Sequence, residues 1–138
     1  MNYLDKFSLK TRTAFVNGGA GLLGSEVVKA LSDAGAKVVI LYINEKAALK
    51  LQKKITSAVF EFFDATNLKE LDKKIEELSK KYKKIDIWVN TSFPRTVDWG
   101  EKIEKLPLES FEKNVDTPHR QRQSCFCRCA FASPCPPS

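Results

Sequence analysis

The sequence predicts a doubly wound α/β domain built on a parallel sheet, and three observations carry that prediction. Short β-branched runs alternate with stretches of helical periodicity; the runs are apolar, like strands covered on both faces; and a glycine cluster joins the first run to the first helix. Thr13 to Val16 is the first strand and leads directly into the glycines. Leu22, Leu23, Val27, Val28 and Leu31 follow at helical spacing, with Gly35 where a helix stop belongs. Lys37 to Tyr42 (KVVILY) is the second strand, and a helix starting near Glu45 carries Ala48, Leu49 and Leu51. Ala58 to Phe63 (AVFEFF) is the third strand. Asn67 is placed to cap a helix whose stripe is Leu68, Leu71, Ile75, Leu78 and Tyr82. Ile85 to Val89 (IDIWV) is the fourth strand, and no internal repeat is visible beyond the alternation itself.

Composition bounds the function classes. The 138 residues are 43% hydrophobic and 29% charged, a balance that excludes collagen-like, coiled-coil and wholly disordered chains. The longest apolar run, Val38 to Ile43, is far short of the roughly 18 residues a membrane span requires. Asp5 and Lys6 sit where a secretory signal would be apolar, so a cytoplasmic location with no membrane partner is expected. The formal charge of +6 is unevenly spread. Residues 117–138 hold half of it, with all four Cys, four of the six Pro, the only His and no acidic residue. Residues 1–116 hold all six Gly. The chain therefore divides into a globular part, 1–116, and an Arg/Cys/Pro-rich tail, 117–138, expected to be irregular and disordered.

The motif richest in chemistry is Asn17-Gly18-Gly19-Ala20-Gly21-Leu22-Leu23-Gly24. Gly19, Gly21 and Gly24 satisfy G-x-G-x-x-G between a strand and a helix. There a tight turn brings backbone close to a pyrophosphate, and the helix N-terminus favours the anion. With a second strand following, the context is that of a dinucleotide-binding Rossmann-type fold. In the tail, Cys125-x-Cys127-x-Cys129 and Cys135 have spacers that suit tetrahedral chelation poorly, so no metal site is assigned. Arg120, Arg122 and Arg128 without a fold around them are too weak a footprint for nucleic acid. Trp88 is read as core, Lys80, Lys81, Lys83 and Lys84 as a solvated helix end, and Asp98, Glu101 and Glu104 as surface acids without chemistry.

Residues 7–116 resemble the short-chain dehydrogenases/reductases, in particular a sugar-oxidoreductase-like subgroup. Residues 17–24 are similar to the family's T-G-x-x-G-x-x-G, with Asn17 for Thr. Phe63-Asp64-Ala65-Thr66 resembles its D-[VL]-T, and Asn90-Thr91-Ser92 its N-N-A-G after the fourth strand, extended by Phe93-Pro94-Arg95-Thr96. Phe111-Glu112-Lys113-Asn114-Val115 resembles the segment whose helix asparagine supports a catalytic water. The resemblance implies NAD or NADP as cofactor. Asn17, Gly18, Gly19, Gly21, Leu22, Leu23, Gly24, Tyr42, Asp64, Ala65, Asn90, Thr91 and Ser92 would contact it, and Asn114 is the one position of the catalytic set that is present.

Departures from the family pattern carry equal weight. Tyr42 stands where an NAD-dependent member has an acid for the ribose hydroxyls, and Lys46 is the nearest cation for a 2′-phosphate, so the choice between NAD and NADP stays open. The family's Ser and Tyr-x-x-x-Lys lie beyond the fourth strand, yet no Tyr or Lys follows Asp116 here. The one Tyr-x-x-x-Lys is Tyr42 to Lys46, on the adenosine side. The expectation is a cofactor-binding fragment without turnover. The abrupt end of family-like sequence at Asp116 suggests a change of reading frame. The alternative is a non-catalytic dinucleotide-binding or interaction module that uses its basic, Cys-rich tail. With strand order 3-2-1-4, the fourth strand is an edge exposing Ile85, Ile87 and Trp88, a template for self-association.

Overall fold

Four strands, β1 (Thr13–Asn17), β2 (Lys37–Tyr42), β3 (Ala58–Phe62) and β4 (Ile87–Asn90), form one parallel sheet in the order β3-β2-β1-β4. Helices α1 (Leu22–Asp33), α2 (Glu45–Lys54) and α3 (Leu68–Tyr82) link them, and α4 (Leu108–Ala132) follows β4 after a short 3₁₀ turn. This is the expected doubly wound arrangement. The computed structural model describes residues 6–93 and 95–132. Pro94 and the tail residues Pro134, Cys135, Pro136 and Pro137 lie outside the described residues, as do the side chains of 121–132.

The two-residue period of a strand sorts the core into two layers. Ala14, Val16, Val38 and Ile40 face one way and pack with Val28 of α1 and Ala48 and Leu51 of α2. Phe15, Val39 and Leu41 face the other and pack with Leu71, Ile75 and Leu78 of α3. Both faces being covered, β2 must be apolar over its buried stretch, as Val38 to Leu41 are. Trp88 leans on the second layer, its ring 5.6 Å from Phe15 and 6.1 Å from Phe63, a core-side role.

Three local expectations need correction. Ile85 precedes β4 and is only 6% exposed, packed into the α3 layer, so the edge presents half-buried Ile87 and Trp88 without it. Asn67 occupies the N-cap position of α3, but its amide donates to Glu70 (3.2 Å) and caps no backbone N–H. The chain is also not irregular from Thr117: α4 runs through the compositional boundary to Ala132. Pairs spaced i,i+4 stitch it, Glu109–Lys113 at 2.7 Å before Pro118 and Asp116–Arg120 at 2.6 Å across it. Pro118 has no N–H for the carbonyl four residues back, yet it is buried beside Asn114 on the inward face of α4. A helix tolerates that one lost bond when the proline is packed.

Three of the four lysines around the end of α3 are neutralised locally: Lys80 pairs with Glu76, Lys81 with Glu61 and Lys84 with Asp86. Asp86 is the hub that fixes where β4 begins. Its side chain, 6% exposed, accepts from Lys84 (2.8 Å), the Thr13 backbone N–H (2.9 Å) and Arg12 (2.8 Å). The Lys84 ammonium first, then the Thr13 amide and Arg12, hold its carboxyl far below the usual carboxylate range against the opposing effect of burial. A depressed folded-state pKa contributes stability above the ordinary carboxylate pKa of about 4 and loses it as pH falls below that value. Asp86→Asn is therefore expected to lower the urea midpoint clearly at pH 7, with a gap from the parent that narrows by pH 3. Equal gaps at the two pH values would contradict the hub.

Candidate functional site

The phosphate-type loop forms where β1 turns into α1, and its glycines have separate duties. Gly18 has φ +80°, and a Cβ there would lie 2.8 Å from the Ser92 backbone N and the Thr91 hydroxyl. The loop thus touches the segment after β4 directly. Gly24 lies under the turn, where a Cβ would come within 2.1 Å of the Gly18 carbonyl oxygen. Gly19 faces inward, toward the Val16 carbonyl and the side chains of Ile40 and Val28. Gly21 faces outward. A Cβ on it would have the Gly18 oxygen at 3.1 Å and the Tyr42 ring near 4 Å, and would otherwise project into open space.

That open space is a cleft of about 500 Å³ across the C-terminal ends of the strands, at the point where strand order reverses between β1 and β4. Gly21 is the N-cap of α1, no side chain caps that end, and no acid occupies the first turn. The N-terminal amides of α1 and its dipole are therefore available to an anion. Leu22 and Leu23 stand 91% and 72% exposed at the cleft, apolar flanks beside the anion-binding backbone.

Most of the residues singled out from sequence line this cleft. The exceptions are Gly19, which packs inward, and Asn90 and Asn114, which act from behind the wall. Asn17, 2% exposed, donates from its amide to the Asn90 side-chain oxygen (2.9 Å), and its own carbonyl accepts from the Thr91 backbone N–H and hydroxyl, both at 2.8 Å. The Asn90 oxygen also accepts from the Ser92 N–H (3.3 Å). Asn at position 17 thus ties the ends of β1 and β4 together through its longer side chain. On the β3 side, Asp64 is oriented by accepting from the Thr66 N–H (2.9 Å) and hydroxyl (2.6 Å).

Asn114 of α4, 5% exposed, uses both ends of its amide on one residue. It accepts from the Thr96 backbone N–H (2.9 Å) and donates to the Thr96 hydroxyl (2.7 Å). Asp98 joins this cluster, its carboxyl held below the usual range by hydrogen bonds from Ser110 and then Thr96. The loop after β4 is further closed by Phe93 against Trp99, centroids 5.3 Å apart. Sequence reasoning missed this pinning, because nothing local couples positions 96 and 114. Phe63, Thr66, Phe93 and Arg95, which stood in the family-like segments without an assigned contact, also line the cleft, as does Ile43, next to Tyr42.

The cleft's shape fits a dinucleotide. Gly21 leaves room for a pyrophosphate at the helix N-terminus, Tyr42 and Asp64 lie toward β2 and β3, and Thr91 and Ser92 lie toward β4. Fold and cleft define a Rossmann-type nucleotide-binding domain. A family model for short chain dehydrogenases matches residues 12–119, and the chain belongs to that family. It is 33% identical over 119 residues to a sorbose reductase of Candida albicans, covering 83% of this chain and 42% of the relative. It is 32% identical over 121 residues to a probable NADP-dependent mannitol dehydrogenase of Yarrowia lipolytica, with the same coverages. A solved short-chain type dehydrogenase/reductase from Mycobacterium marinum superposes with TM-score 0.81 at 24% identity, covering 96% of this chain and 54% of that one. The chain spans less than half the length of the curated relatives it matches and about half that of the solved structure. Members of this family bind NAD or NADP. Among the described residues no helix is long and apolar enough to cross a membrane.

Proposed function

We propose that this chain is the nicotinamide-dinucleotide-binding portion of a short-chain dehydrogenase-type oxidoreductase whose intact form interconverts an alcohol and a carbonyl on a sugar-like substrate. The observation that carries the reading is Gly21, whose missing side chain opens the N-terminus of α1 to the cleft. The names of the sorbose and mannitol relatives support a polyol or ketose as substrate class. When bound, the nicotinamide would supply hydride transfer. The chain's own contribution is the backbone cradle at residues 18–24, the Asn17–Asn90 tie behind it, and the Tyr42 and Asp64 wall for the adenosine half.

In its present form the chain binds without turning over. It contains no Tyr after Tyr82 and no Lys after Lys113, so the family's proton-transfer pair has no counterpart beyond β4. On this proposal residues 117–138 are translated from a shifted frame, and the test is the nucleotide sequence. If the other frames after codon 116 restore no Ser and Tyr-x-x-x-Lys, that part of the proposal falls.

The cofactor proposal is tested by calorimetric titration of the full chain with NADH and NADPH. Gly21→Val places a branched side chain in the cradle and is expected to abolish binding of both while the circular dichroism is retained. Unchanged affinity in the folded variant would remove the glycine loop from the site. Tyr42→Asp supplies a carboxylate for the ribose hydroxyls and a repulsive charge for a 2′-phosphate, so the affinity ratio is expected to move toward NADH by about tenfold. An unmoved ratio would show that position 42 does not face the ribose.

A further inference from the structure

The cleft carries one cationic side chain among its described lining residues, Arg95, and it sits on the β4 side. The acid lining the same cleft, Asp64, lies on the opposite, β3 side and is already committed to Thr66. Arg95 is exposed and makes no salt bridge to any described residue. Its backbone position is nonetheless fixed. Thr96, the next residue, is clamped by the buried Asn114, and Phe93, two residues before it, is held edge-on against Trp99. The glycine loop and the α1 N-terminus already provide for a pyrophosphate at the centre of the cleft, one strand away. A guanidinium carried on that backbone at the β4 side of the cleft has capacity for a second anion, and its planar fork suits a two-oxygen group.

We infer that Arg95 determines substrate specificity by pairing with an anionic group, a carboxylate or a phosphate ester, on the molecule that lies beside the β4 half of the cleft. The substrate class is then an acidic sugar derivative in preference to a neutral polyol. This rests on the dinucleotide reading of the same cleft, which places the reacting end of the cofactor near Thr91 and Ser92.

The test uses the full chain saturated with NADH and titrated, with amide chemical shifts as readout, against D-gluconate, D-sorbitol 6-phosphate and D-sorbitol. At least one of the two anions is expected to bind about tenfold more tightly than sorbitol, and the tighter of the two identifies carboxylate or phosphate. Arg95→Gln is expected to bring the anions down to the level of sorbitol, Arg95→Lys to keep part of the difference, and both to leave NADH affinity intact. Sorbitol binding as tightly as both anions, or anion binding that survives Arg95→Gln, would overturn the inference. So would a fall in NADH affinity in Arg95→Gln, since the guanidinium would then serve the cofactor's own phosphates. Failure of the parent chain to bind NADH at all is a different result: it overturns the dinucleotide reading and this inference with it.

Discussion

Gly24→Ala is expected to destabilise the domain by about 3 kcal/mol and to eliminate dinucleotide binding, since an added Cβ meets a closer clash there than at any other glycine described. The added Cβ would lie 2.1 Å from the Gly18 carbonyl oxygen and 2.8 Å from the Gly19 Cα. These are backbone atoms of a loop that is hydrogen-bonded to β2, through Gly18 N–H to the Leu41 carbonyl at 2.9 Å, so no flexible side chain can yield. Either α1 lifts from the sheet, opening the layer that contains Val28, or the loop deforms and the cradle closes. Gly100→Ala is the control, because a Cβ there meets nothing within 4 Å, and its urea midpoint should match the parent's. Comparable midpoints for Gly24→Ala and Gly100→Ala would refute the packing described for the loop.

The second large effect is the absence of catalysis. Purified chain mixed with NAD or NADP and sorbitol, mannitol or gluconate is expected to produce no reduced cofactor above the protein-free rate. Loss of a positioned general acid–base alone removes about 10²–10⁴-fold. The one Tyr-x-x-x-Lys, Tyr42 to Lys46, cannot substitute: Tyr42 closes β2, on the opposite side of β1 from β4, with its hydroxyl beside the glycine loop. Light scattering on the same samples reads the free edge of β4, where half-buried Ile87 and Trp88 accompany backbone groups paired on one side only, and should show mass increasing with concentration. Sustained formation of reduced cofactor by a monodisperse monomer would overturn both expectations.

Elements were legible in this sequence wherever a local rule decides them. β2 matches its sequence bounds because KVVILY admits one structure between two helical layers, and α2 starts at Glu45 as expected because Asn44, unlike Asn67, does cap its helix, accepting from Ala47. The glycine loop was legible because tight backbone contact has only one residue as its solution. What escaped was tertiary. Ile85 reads as strand by composition, yet Asp86, held by Arg12, Lys84 and Thr13, starts the strand later. The pairing of Asn17 with Asn90 and of Thr96 with Asn114 depends on distant segments meeting, which no window of sequence displays. The persistence of α4 past Asp116 was hidden by composition: cysteine, arginine and proline suggested disorder, whereas α4 crosses the boundary with Pro118 buried and Asp116 paired with Arg120.

The register of the sheet also sets the order in which the cleft can come into being. β1 and β2 pair residues 24 apart, whereas β1 and β4 pair residues 73 apart, a closure about 1 kcal/mol costlier in chain entropy. Closure entropy alone therefore favours pairing of β1 with β2, and of β2 with β3, ahead of the docking of β4. Until it docks, Asn17 lacks its amide partner and Gly18 has nothing of Thr91 or Ser92 against it, so the phosphate loop has a floor and one wall. The docking of β4 and the closing of the glycine loop's second wall are then one and the same step. A nascent chain whose synthesis stopped short of Ile87 would present its glycines on an unfinished surface, and its affinity for a dinucleotide would emerge only as β4 clears the ribosome.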